Sequence, residues 1–149
     1  KTIKFEAVIV GRGKLYKELS EYILKNNLSQ FVKIIDFVDN PFPLLKQAEL
    51  FILSSKYEGL PNVLLEALTL KKFIISSKCP TGPQEILLNG KGGLLFNVGN
   101  HNQLVNKIIY YKKNKKKCSS MLRHAIKKLY RFDYQINLKK YLNLVNQIS

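Results

Sequence analysis

The chain has 149 residues, 46% of them hydrophobic, which suits one compact domain with a real core and excludes two full-sized ones. Its formal net charge is +15, yet no apolar run approaches the roughly 20 residues that span a bilayer. The first residues, Lys-Thr-Ile-Lys, do not read as a signal peptide, and a start without Met marks the chain as an expected piece of something longer.

In chain order, short apolar runs rich in β-branched and aromatic residues alternate with helical patterns. A strand is expected over "FEAVIV" (5–10), then the turn "GRG" and an amphipathic helix over 14–27. "FVKIID" (31–36) reads as a second strand, "NPFPLLKQAE" (40–49) as a helix and "LFILSS" (50–55) as a third strand. The next helix runs over 61–70, followed by the strand "FIISS" (73–77), the helix start "GPQEILL" (82–88) and the strand "GGLLF" (92–96). From about 100 onward the strands stop, and two or three basic helices close the chain with a break near "RFDYQ" (131–135). Strand and helix alternating at this spacing make βαβ units, hence an α/β fold with a doubly wound, Rossmann-like parallel sheet flanked by helices. No internal repeat or flexible linker interrupts the single domain expected over 1–149.

The charge is unevenly spread. Residues 1–100 carry 13 basic and 9 acidic side chains, a net of +4, whereas residues 101–149 carry 12 and one, a net of +11. The densest stretch, "YYKKNKKK" (110–117), fits attraction to an anionic membrane face, here assigned to residues 107–140. Codon bias is the plainer source, since Lys, Asn and Ile make up 49 of the 149 residues. No binding motif accompanies the charge, so no nucleic-acid partner is expected. Cys79 and Cys118 lack metal-ligand spacing and read as reduced thiols, which places the chain in the cytoplasm. His101 and His124 are isolated, and neither a nucleophilic triad nor a metal cluster is visible.

Ligands of such a sheet bind beyond the carboxyl ends of its strands, where loops lead into helix N-termini. "YEGLPNVLLEAL" (57–68) is the most informative of these loops. A run so apolar from Val63 onward makes the Glu66 carboxylate costly unless something pairs with it. Pro61 is expected at the first helical position and Gly59 permits close backbone approach. The free N–H groups near Leu60, Asn62 and Val63 then form an anion site suited to a diphosphate. Glu58 stands at the mouth of that site, and Glu66 is placed to accept the two hydroxyl hydrogens of a ribose. The alternative is a solvated Glu58 and a Glu66 paired with a lysine. Gly11 and Gly13 permit a tight turn after the first strand, a common pattern that an ordinary strand-to-helix turn also explains. "FVDN" (37–40) equally suits a plain turn and helix start, while Thr81 and Gly82 precede a helix that would begin at Pro83.

On these residues the sequence resembles the C-terminal, nucleotide-sugar-binding half of a family 4 retaining glycosyltransferase of the GT-B fold. The resemblance runs through "AVIVGRG", "FVDNPFPLLKQAELFILSSKYEGLPNVLLEAL", "CPTGPQEIL", "GKGGLLFNVGN" and "RFDYQ…YLNLV", and the pair Glu58 and Glu66 matches the family's E-x7-E signature. It implies that Glu58 is the catalytic contact to the donor sugar and that Glu66 binds the ribose. It further implies that Gly59, Leu60, Asn62 and Val63 hold the diphosphate through their backbone, and that Phe37 and Val38 meet the base edge through main-chain groups. Transfer would proceed with retention, without a metal or other cofactor, from a UDP-hexose or UDP-N-acetylhexosamine to a glycan or lipid-linked acceptor at the inner membrane face. There are departures from the family's pattern. Nothing upstream of Phe5 matches the segment that supplies an Arg and a Lys to the leaving phosphate. Arg12 replaces an acidic residue in the glycine turn, and Asp36 with Phe37 replaces a glycine. The N-terminal acceptor-binding domain is absent, so this part is expected to bind donor and to be inactive alone. A noncatalytic recruitment module with a basic membrane- or polyanion-binding tail is the alternative from a different class.

Overall fold

The computed structural model describes residues 4–148 and confirms a parallel α/β fold whose strands are flanked by helices. The strands form two sheets, β1-β2 and β3-β4-β5, in two compact units, the first ending at Pro41 and the second beginning at Phe42.

In the first unit, β1 (Ala7–Val10) and β2 (Val32–Ile35) run parallel in the register Ala7↔Val32 to Val10↔Ile35. The crossover between them carries α1 (Tyr16–Lys25), whose Ile23 is buried. Both strands are shorter than the apolar runs that announce them. Phe5 lies outside β1, where its ring approaches Phe31 at 5.7 Å between centroids. Val8, Ile9 and Val10 remain exposed, in contrast to the fully buried strand that a parallel sheet leads one to expect.

The second unit opens with α2 (Phe42–Gln47), and its sheet consists of β3 (Leu50–Leu53), β4 (Phe73–Ser77) and β5 (Leu94–Phe96), all parallel with β4 in the centre. Every residue of β4 is buried, and its side chains alternate between two cores. Ile74 joins Leu64, Ala67 and Leu68 of α3 (Asn62–Thr69), Ile86 of α4 (Pro83–Ile86) and Leu87 just after it, and Ala125. Phe73 and Ile75 join Phe96, Tyr111 and Cys118 on the other face. Helices therefore cover this sheet on both sides, which explains why "FIISS" is apolar without a polar face.

Among the described residues, three α-helices follow the last strand: α5 (His101–Lys113), α6 (Lys115–Lys127) and α7 (Tyr134–Ile148). The Asn100 side chain caps α5 by accepting from the Gln103 N–H at 2.9 Å, and Gln103 Oε1 accepts the Asn97 N–H at 2.8 Å. Part of the basic stretch serves the fold. Tyr111 stacks on Phe73 at 5.0 Å, and its hydroxyl donates to the Glu49 carbonyl at 3.1 Å. The Lys115 ammonium bonds the Glu49 carboxylate and lies 3.6 Å from the centre of the Tyr111 ring. That Lys115 bond holds the Glu49 carboxyl below its ordinary pKa. A turn of 3-10 helix (Leu129–Phe132) breaks the chain before α7, and Arg131 Nη2 ties it to the Glu85 carbonyl at 3.1 Å. No helix among the described residues is long and apolar enough to cross a membrane.

Candidate functional site

The loops at the carboxyl ends of β3 and β4 are joined by a set of hydrogen bonds. Ser77, fully buried at the end of β4, donates its hydroxyl to the Ser55 carbonyl at 2.6 Å. The buried Cys79 thiol reaches the same carbonyl at 3.1 Å and lies 3.3 Å from Ser77 Oγ. Farther along, the Thr81 hydroxyl donates to the Glu58 carbonyl. Gly82 sits at φ +78° and ψ −72°, a conformation essentially reserved for glycine, directly against Gly59 and Pro61.

Held this way, the loop delivers the chain into α3 one residue later than the sequence implies. Pro61 is the N-cap, with φ −72° and ψ 98°, and not the first helical residue. The reason lies in the hydrogen bonding: Pro61 has extended ψ, and its carbonyl accepts the Leu64 N–H at 3.0 Å to close the first turn. Among the described residues, none of the N–H groups of Gly59, Leu60, Asn62 and Val63 donates to a protein acceptor. Nothing lies within 4 Å of a β-carbon placed on Gly59, so the space beside that backbone is open.

Glu66 falls four residues after Asn62, just over one turn into α3 and on the same helix face. Leu64, Ala67 and Leu68 occupy the opposite, buried face. The helix is thus not apolar all round: Glu66 is half-buried on the open side, where its carboxylate is cheap to keep. Glu58 is half-buried as well, beside a Tyr57 that is 82% exposed. Neither carboxylate has a hydrogen bond or ion pair to a described residue, which removes the alternative of a Glu66 to lysine pair. Four unpaired N–H donors and two unpaired carboxylates thus stand on one loop and the first two turns of one helix. That set can hold an anion and accept hydroxyl hydrogens.

The remaining sequence-derived site residues lie in the first unit. Gly11 has φ +143°, a value that needs glycine, and its N–H donates to the Ile35 carbonyl at 3.0 Å. Gly13 has open space around it and accepts the Tyr16 N–H at 3.1 Å through its carbonyl. Arg12 and Asp36, two of the departures noted above, form a bidentate pair at 2.9 and 2.8 Å. The Asp36 carboxylate also accepts the Phe37 N–H at 2.7 Å, leaving that donor unavailable to a ligand. Phe37 is exposed and Val38 half-buried.

The Arg12 guanidinium, aided by the Phe37 N–H, pulls the Asp36 carboxyl from 3.8 down to about 2. Because the folded value is the lower one, the pairing is fully present above pH 4 and is lost as pH falls toward 2. Both side chains are exposed, so the titration itself is the readout. NMR should place the Asp36 midpoint near 2 and move it upward in Arg12→Ala. An unmoved midpoint would dismiss the pair.

In the sequence, Thr81 and Gly82 mark a helix start whose free N–H groups could face the same cleft. The contacts of Ser77, Cys79, Thr81 and Gly82 with the preceding loop were not visible, because they join residues 22 to 24 positions apart. The Gly-Pro step at 82–83 was the one available signal.

Known proteins are similar to this chain in sequence or in fold. An uncharacterized glycosyltransferase of Methanocaldococcus jannaschii is 46% identical over 80 residues, covering 54% of this chain and 20% of its own. The N-acetylgalactosamine-N,N'-diacetylbacillosaminyl-diphospho-undecaprenol 4-alpha-N-acetylgalactosaminyltransferase of Campylobacter jejuni is 33% identical over 97 residues, covering 65% of this chain and 27% of its own. The crystal structure of Anabaena HepE in complex with UDP-glucose superposes with a TM-score of 0.82 at 25% identity, over 95% of this chain and 41% of that one. This chain therefore spans less than half the length of each. The family described as glycosyl transferases group 1 matches residues 1–128, and the chain belongs to that family.

Proposed function

We propose that this chain is the donor-binding part of a retaining glycosyltransferase that takes a hexose or N-acetylhexosamine from a UDP-sugar. The observation that carries the reading is the open N-terminal end of α3, with unpaired N–H groups at Gly59, Leu60, Asn62 and Val63 beside two unpaired carboxylates. Family membership supports it, as do the UDP-glucose in the Anabaena structure and the transferase named from Campylobacter.

In this reading the four N–H groups and the positive end of the helix hold the donor diphosphate. They stabilise the charge that builds on it as the sugar departs, an electrostatic role that needs no metal. Glu66 accepts from the ribose hydroxyls. Glu58 orients the sugar, and the acceptor attacks on the face from which the diphosphate leaves, so Glu58 need not be a nucleophile. The acceptor, a glycan or a lipid-linked sugar, is presented by an N-terminal domain, and without it the chain binds donor but does not turn over. Exposed Lys113, Lys116 and Lys117, within the basic segment 107–140, hold the enzyme on the anionic cytoplasmic face of a membrane.

Calorimetric titration with UDP and with GDP tests the reading. Saturable binding with UDP preferred is expected. A folded chain that binds neither nucleotide would instead favour the noncatalytic recruitment module.

A further inference from the structure

We infer that Thr81 is a positioning residue for the anion site, acting through the backbone of Glu58. The inference rests on the donor-site reading and concerns how the donors become aimed. In a trans peptide the C=O of one residue and the N–H of the next point in opposite directions, and no cis peptide occurs among the described residues. The Thr81 hydroxyl takes the Glu58 carbonyl, so the Gly59 N–H must point away from Thr81. Gly82 is packed so closely against the Gly59 carbonyl that a β-carbon there would lie 2.1 Å from that oxygen. The Leu60 N–H must therefore point away from Gly82. One turn, Thr81–Gly82, thus faces two successive carbonyls and sends two successive N–H groups to the opposite side.

The lower part of the loop is fixed independently, since Ser77 and Cys79 both reach the Ser55 carbonyl from a buried position. Among the described residues, the exposed Thr81 bond is then the hydrogen bond that holds the Glu58 carbonyl. Removing the hydroxyl frees that peptide to rotate and leaves the packed sheet beneath it untouched.

The experiment compares Thr81→Val, which keeps the side-chain shape, with Thr81→Ser, which keeps the hydroxyl. The first readout needs no nucleotide. Lys56 is exposed at the start of the loop, and tryptic cleavage after it, followed by mass spectrometry, reports the loop's freedom. Thr81→Val should be cut several-fold faster there, with melting unchanged, and Thr81→Ser should be cut at the wild-type rate. The second readout is UDP affinity, expected to weaken about threefold to tenfold in Thr81→Val, the size of one neutral hydrogen bond, and to return in Thr81→Ser. Wild-type cleavage and affinity in Thr81→Val, or failure of Thr81→Ser to restore them, would overturn the inference. A wild-type chain that binds no UDP would end the donor-site reading, while the cleavage comparison would still decide whether Thr81 holds the loop.

Discussion

Gly82→Ala is expected to lower the stability of the chain by about 3 to 5 kcal/mol, combining backbone strain at positive φ with overpacking. Gly82 lies at φ +78° and ψ −72°, where an L side chain is strained whatever room it has. It also has no room. The added methyl would meet the Gly59 carbonyl oxygen at 2.1 Å and Pro61 Cδ at 2.4 Å. Both obstacles are backbone or ring atoms, so neither can swing aside like the end of a flexible side chain. Relief requires moving the segment from Gly59 to Pro61, whose displacement shifts the cap of α3 and with it the buried Leu64 and Leu68. For a domain of this size the melting temperature should fall by roughly 10 °C. Calorimetric or spectroscopic melting measures it, and a variant melting with the wild type would show that the two loops do not pack as described.

Glu66→Ala should act in the opposite sense on stability and strongly on binding. The carboxylate has no protein partner among the described residues, so its removal breaks no intramolecular bond. Alanine is also the best helix former at an open position of α3. The melting temperature should therefore hold or rise slightly. UDP affinity should fall by about 1.5 to 3 kcal/mol, some tenfold to 150-fold, as expected for a charged acceptor lost from two hydroxyl donors. A functional group kept at no benefit to the fold is what a binding residue looks like. Loss of stability without loss of affinity would assign Glu66 to the structure instead.

Much of this was legible from residue order alone. β4 could be read from "FIISS" because a strand buried on both faces needs no alternation, and the Pro and Gly near the start of α3 marked its beginning to within a residue. Glu58 and Glu66 were conspicuous because carboxylates are rare in so basic a chain. Less legible was the environment of Glu66. An eight-residue helix need bury only one stripe, and the outward stripe carrying Asn62, Glu66 and Thr69 is too short to stand out from the apolar run. The double duty of the basic stretch was equally hidden, since the contact of Lys115 with Glu49 spans 66 positions. The same holds for Arg12 and Asp36, which only the parallel register of β1 and β2 brings together.

The most direct test of the central claim is to follow the backbone amide resonances of the isotopically labelled chain during titration with UDP. The amides of Gly59, Leu60, Asn62 and Val63 should shift together along one saturable binding curve, and Glu66→Ala should flatten that curve. UDP-induced shifts that leave those four amides unmoved would contradict it and place the nucleotide elsewhere.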